Sequence, residues 1–241
     1  MTSRPLDGLR TGAPDPAVWQ VLEMPMPDGG MWRYEEPGAR VQAEGGVLEI
    51  QVDRFTRQHA LIPMFDNPKH FLVKREALTI AEGGVLTIGC EMACENHNGN
   101  PDDLFDGFAG FNVCDLANGM VFDFIISGTQ IGVVHERLPI PGVTPAGGDW
   151  LHVVQSPLLA QNHPGEFHRY EITLDRPART CTWHVDGRRM YAVRNIVVDI
   201  GSVVVGLGLF TLKPAVAGVG SVSNHGQGAS GRWRNLWVRS A

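Results

Sequence analysis

The sequence predicts an all-β protein, a sandwich or barrel of short strands. Short segments alternating apolar and polar residues recur from residue 31 onward, turns rich in glycine separate them, and no segment sustains a helical period. A chain of 241 residues is long for an average domain but ordinary for one sandwich. With 43% hydrophobic and 19% charged residues it has enough apolar surface to fill a core, which excludes a disordered chain.

Residues 1–30, rich in Pro, Gly and Asp, are expected to form an irregular N-terminal arm, and residues 31–241 a single sandwich domain. The first clear element is a hairpin from Ala39 to Val52 that turns at Gly45 and Gly46. Strands follow from Val85 to Glu95, Phe108 to Leu116, Met120 to Ser127 and Gln130 to Leu138. After "WLHVVQS", which starts at Trp150, come two strands within Glu166–Tyr191, then "VVVGLGLFTL" and finally "RWRNLWVRS".

Alternation assigns faces. Leu86, Ile88, Cys90, Met92 and Cys94 share the core side of their strand, leaving Thr87, Glu91, Ala93 and Glu95 opposite. In Met120–Ile126 the core set is Phe122, Phe124 and Ile126. The other face, Val121, Asp123 and Ile125, is too apolar for open water and suits the lining of a cleft or the underside of a loop.

The net charge of −6 and the scattered Lys and Arg argue against nucleic acid or an anionic membrane as partner. The longest apolar run, from Ser202, is too short to span a bilayer. The first residues show no apolar stretch of the secretory kind, so a cytoplasmic location is expected. Cys90 and Cys94 lie about 13 Å apart along one strand face, beyond disulfide reach. All four cysteines are therefore expected as free buried thiols, and no Cys-x-x-Cys spacing suggests zinc.

With faces assigned, "FHRYEITL" and "CTWHVDGRRMY" (Phe167 to Tyr191) resemble the concanavalin A-like jelly rolls, in particular the laminarinase-type β-glucanases. "GGVLEIQV" near the start and the Trp-rich last strand are similar to that superfamily too. The resemblance implies a jelly roll over roughly residues 31–239. In those glycosidases the catalytic strand reads Glu-x-Asp-x-Glu, which sets two carboxylates on the cleft face as nucleophile and acid/base. The similar strand here is Val121-Phe122-Asp123-Phe124-Ile125, with both outer glutamates aliphatic. Neither Val nor Ile can attack a sugar or donate a proton, so the resemblance implies a kept scaffold and a lost hydrolytic dyad.

Asp123 is the first catalytic candidate: between Val121 and Ile125 its carboxylate should lose hydration and its pKa should rise towards an acid/base range. The alternative is a carboxylate that only bonds its neighbours and holds the sheet. His135 falls on the next strand, within two pairs of Asp123 if Gly128 and Thr129 make the turn. As a couple the two could transfer protons, although alternation alone leaves open which face His135 occupies. Glu91 is a further catalytic candidate, as a second acid/base option, and Glu95 reads as an exposed strand acid. Val121, Ile125, Asn112, Trp150 and His152 are the expected substrate contacts, Trp150 as a stacking platform or as a plug of the sandwich edge.

The polar loop Glu95–Gly107 reads mainly as solvated, with Asp102, Asp103 and Asp106 as potential calcium ligands. Gly218–Gly231, with His225 at its tip, is long enough to act as a flap. No cofactor or resident metal is expected; the expected partner is a small-molecule ligand. Three functions compete. The first is a non-hydrolytic isomerase, hydro-lyase or cyclase acting on a small, largely apolar molecule. The second is a lectin-like carbohydrate-binding module, and the third a glycosidase with relocated carboxylates. The apolar face around Asp123 and the nine histidines favour the first.

Overall fold

A computed structural model of the chain describes residues 3–6, 8–9, 12–26, 28–57, 67–100, 102–155, 161–213, 215–216, 220–221 and 226–241. Two large antiparallel sheets pack on one another, and among the described residues there is no helix. The back sheet runs, edge to edge, Arg188–Val193, Thr180–Val185, His168–Asp175, Val85–His97, Gly228–Ser240, Val47–Val52 and Arg40–Glu44. The front sheet runs Trp150–Gln155, Ile131–Arg137, Met120–Ile126, Phe108–Asp115, Ser202–Phe210, Pro68–Lys74 and Trp19–Val21.

Residues expected to be an irregular arm contribute short strands instead. Arg4–Pro5 pairs with the last strand, Trp19–Val21 extends the front sheet, and Glu23–Pro25 pairs with Met31–Arg33. Pro and Gly density hid them because pairing to an existing edge needs only two or three residues of extended backbone, too few to show a period.

The core expected between the sheets is present. Leu86, Ile88, Cys90, Met92 and Cys94 of the back sheet meet Phe122, Phe124 and Ile126 of the front, with Tyr170, Trp183 and Trp233 fully buried among them. All four cysteines are free and buried.

A second apolar layer lies on the outer face of the front sheet. It joins Val121, Ile125, Cys114, Phe71, Phe108 and Phe210 to Leu22, Met24, Tyr34, Leu104, Leu138 and Ile140 from segments that cross over it. The N-terminal segment is fastened there by backbone bonds from Leu22 N to Phe71 O and from Phe71 N to Tyr34 O. Consequently every residue of Phe108–Asp115 and Met120–Ile126 is buried. That is why these strands read as apolar on both faces.

Glycines make room for the rings of this layer. A Cβ at Gly110 would lie 2.7 Å from the Phe210 ring, and one at Gly208 would lie 2.5 Å from the His70 carbonyl oxygen and 2.9 Å from Phe71 Cδ2. Gly208→Ala should therefore cost about 1–3 kcal/mol in urea unfolding, since the clash is partly with backbone. Gly83→Ala, where a Cβ meets nothing within 4 Å, should change stability by less than about 0.5 kcal/mol. Equal stability of the two variants would show that the ring layer is looser than described.

Candidate functional site

The hairpin around Ser127–Gln130 decides what Asp123 meets. Ser127 Oγ accepts from the backbone N–H groups of Thr129 and Gln130, Ser127 N donates to Gln130 O, and Asn96 Oδ1 accepts from Gly128 N. This turn pairs Ile126 with Ile131, and so on back to Phe122 with His135 and Val121 with Glu136.

Asp123 sits at the strand centre with no exposed surface, on the outer face of the sheet. Directly across the neighbouring strand pair, the Asn112 side-chain amide donates a short hydrogen bond to Asp123 Oδ2. Val134 stands opposite Asp123 on the other side, and Val121 and Ile125 flank it along its own strand. Val121, Asp123, Ile125 and Asn112 are thus brought together as the sequence suggests.

Glu136, which sequence reasoning passed over, joins them. It is fully buried, and facing Val121 it lies diagonal to Asp123 on the adjacent strand. Such diagonal positions are roughly 7–8 Å apart at the backbone, so two carboxylates share one apolar patch. The signal was available: a turn at Gly128–Thr129 implies the Phe122–His135 pairing, and Phe122 already belonged to the core.

The same register corrects the expected Asp123–His135 couple. Facing Phe122, His135 points between the sheets, on the opposite side from Asp123. Its ring stacks on Phe122 at 5.1 Å and meets Trp150 edge-on at 4.6 Å. Burial pulls its pKa down to about 4, opposed by hydrogen bonding with the Val121 backbone and reinforced by His152.

Trp150 and His152 belong to this inter-sheet group rather than to the Asp123 patch. His152 pairs across from His135 and is exposed, and Trp150 packs against the main core. Glu91 is likewise corrected. It lies on the outer face of the back sheet, bound by Arg234 Nε at 2.7 Å and Asn235 Nδ2 at 2.8 Å, which hold its carboxyl below the usual range. Glu95 shares that face, with Arg232 at 3.8 Å.

In the polar loop, Lys213 Nζ lies 2.9 Å from Asp103 and 3.6 Å from Asp106, and Asp106 also accepts from Asn100 N and Gln227 Nε2. An ammonium thus already pairs with two of the three aspartates considered as calcium ligands. Among the described residues no His, Cys, Asp and Glu group is arranged to hold a metal. His225 and much of the expected flap lie outside the described residues.

The fold is a jelly-roll β-sandwich, shared with solved structures of glycan-active enzymes. An endo-1,3-β-glucanase from Streptomyces sioyaensis superposes with a TM-score of 0.61 at 14% identity, covering 100% of this chain and 95% of that one. A Bacteroides ovatus mixed-linkage glucan GH16 structure, in complex with a G4G4G3G product, gives 0.60 at 11% identity, with 100% and 99% covered. The alginate lyase AlgAT5, of polysaccharide lyase family 7, gives 0.52 at 12% identity, with 99% of each covered. No curated protein matches by sequence. Residues 14–241 match the model of a family of unknown function, DUF6081, and the chain belongs to that family.

Two buried imidazoles give the fold a pH signature. His70, like His135, is pulled down to about 4, mainly by burial. Unfolding returns each to its ordinary value near 6.5. Between those values the unfolded chain binds more protons, so stability is complete above about pH 6.5 and falls as pH drops towards 4. On going from about pH 7 to about pH 4.5, urea unfolding should show wild type losing about 2 kcal/mol more than His135→Phe. Equal losses would mean that His135 is charged or solvated in the fold.

Proposed function

We propose that the chain is an enzyme performing acid–base chemistry on a small, largely apolar organic molecule admitted between the outer face of the front sheet and the segments that cover it. Asp123 is the proton-transferring group, Asn112 orients its carboxylate, and Glu136 is the second carboxylate. Val121, Ile125 and Val134 form the apolar contacts. The observation that carries this reading is the full burial of Asp123 and Glu136 on neighbouring strands among apolar side chains. Glycan grooves need open, hydroxyl-rich walls, whereas this patch lies beneath Leu22, Met24, Leu104 and Leu138. Carboxyls away from bulk water are suited to hand protons to and from a bound substrate, and two on one face can serve as acid and base. Isomerisation and dehydration can each use such a pair, and neither needs the nucleophile that Val121 and Ile125 cannot supply.

A second reading is glycan cleavage by relocated carboxylates. It is favoured by the glycan-active enzymes among the structural neighbours and by the presence of two carboxylates, Asp123 and Glu136, on one face of the front sheet. One experiment separates the two. Wild type and Asp123→Asn are incubated in heavy water with a library of small apolar carbonyl compounds and, separately, with laminarin and mixed-linkage glucan. Wild type should catalyse deuterium exchange into one or more library members. Asp123→Asn should slow it about 10²–10⁴-fold with its melting temperature kept. Release of reducing ends that Asp123→Asn abolishes would install the glycosidase reading instead. Glycan binding without turnover would make the protein a lectin, and exchange unaffected by Asp123→Asn would make the carboxylate structural.

A further inference from the structure

The last strand carries a feature that the Asp123 patch does not use. Between Arg234 and Trp237 the pairing with Val85–His97 shifts at a bulge, where Asn235 adopts a φ of 51°. The extra residue resets the alternation, so Trp237 and Arg239 share the outer face of the back sheet with Arg232 and Arg234. Trp237 pairs opposite Gly89 and lies flat on it: a Cβ there would come within 2.5 Å of the indole. Glycine is thus required beneath the ring, and the other indole face is turned outward. Arg169 and Arg239 hold their guanidinium groups over the Trp237 ring, 5.4 and 5.5 Å from its centroid, so a ligand stacked on the indole lies beside them. Arg169 Nη2 also donates to Glu171 Oε1 at 2.7 Å.

Together with Ser3, Glu91 and Asn235 these residues line a surface groove of about 290 Å³, at the lower end of the range for small-ligand sites. We infer that this groove is a second binding site, distinct from the Asp123 patch, for a uronic-acid sugar. Each part of such a ligand has a counterpart. The C–H face of a pyranose stacks on Trp237. A ring carboxylate takes the Arg169 and Arg239 guanidinium groups, which bind planar anions through paired donors. Sugar hydroxyls donate to the Glu91 carboxylate, which is held ionised by Asn235 and Arg234. An aromatic acid would satisfy the tryptophan and the arginines but would lack the array of hydroxyl donors that a sugar brings to Glu91. A neutral sugar would bring no anionic group to Arg239 and Arg169.

The test is isothermal titration calorimetry of the full chain with oligogalacturonate and with a neutral cello-oligosaccharide of the same length. Oligogalacturonate should bind, more weakly at high salt, and the neutral oligomer should bind at least tenfold less tightly. The double substitution Arg169→Gln with Arg239→Gln changes only surface side chains. It should weaken oligogalacturonate binding at least tenfold and leave the deuterium exchange at Asp123 unaltered. Trp237→Ala should weaken binding as much, with Trp237→Phe recovering part of it. Failure of oligogalacturonate to bind, equal binding of the neutral oligomer, or binding indifferent to the arginine substitutions would each overturn the inference.

Discussion

Strict alternation along Met120–Ile126, locked by the turn at Ser127–Gln130, is the constraint on which the candidate site depends. Because both faces of this strand are buried, a slip of one residue would carry Asp123 between the sheets and expel Phe122 and Phe124 from the core. Burial of an ionisable group without its partner costs several kcal/mol, so the register is held from both sides at once. The same register sets Asn112 beside Asp123, brings Glu136 onto the shared face and sends His135 the other way.

Polar groups inside the outer apolar layer are a poor route to stability. A hydrogen bond such as that between Asn112 and Asp123 adds about 1 kcal/mol net, and apolar residues of similar size would fill the space at least as well. The proposed acid–base role rests on two carboxylates and an amide held together in this layer. The two outer faces of the sandwich are correspondingly unlike. The front face is covered and apolar around its carboxylates, whereas the back face is charged and carries arginine–carboxylate pairs and Trp237.

The sandwich was legible because period-two alternation survives wherever one face meets the core, as in Leu86 to Cys94. The Asp123 neighbours on its own strand were legible for the same reason. Glu136 and His135 were not assigned, because parity within one strand is silent about its neighbour until the hairpin register is counted through. Glu91 looked like a site residue because alternation says only that it avoids the core, and a sandwich has two such outer faces. The N-terminal strands were hidden by their length, and Trp150 by its place at a sheet edge, where a ring serves packing and exposure equally. The bulge at Asn235 breaks the alternation of the last strand, so the face of Trp237 follows only from the pairing with Gly89.

The most direct measurement on the central claim is methyl nuclear magnetic resonance of Val121, Ile125 and Val134, whose side chains surround Asp123. Titration with a small apolar compound that undergoes exchange should move these methyl signals and leave the methyl signals of the inter-sheet core unshifted. Methyl signals that stay still for every small molecule, or that move only for neutral oligosaccharides, would contradict the assignment of this face to a small apolar substrate.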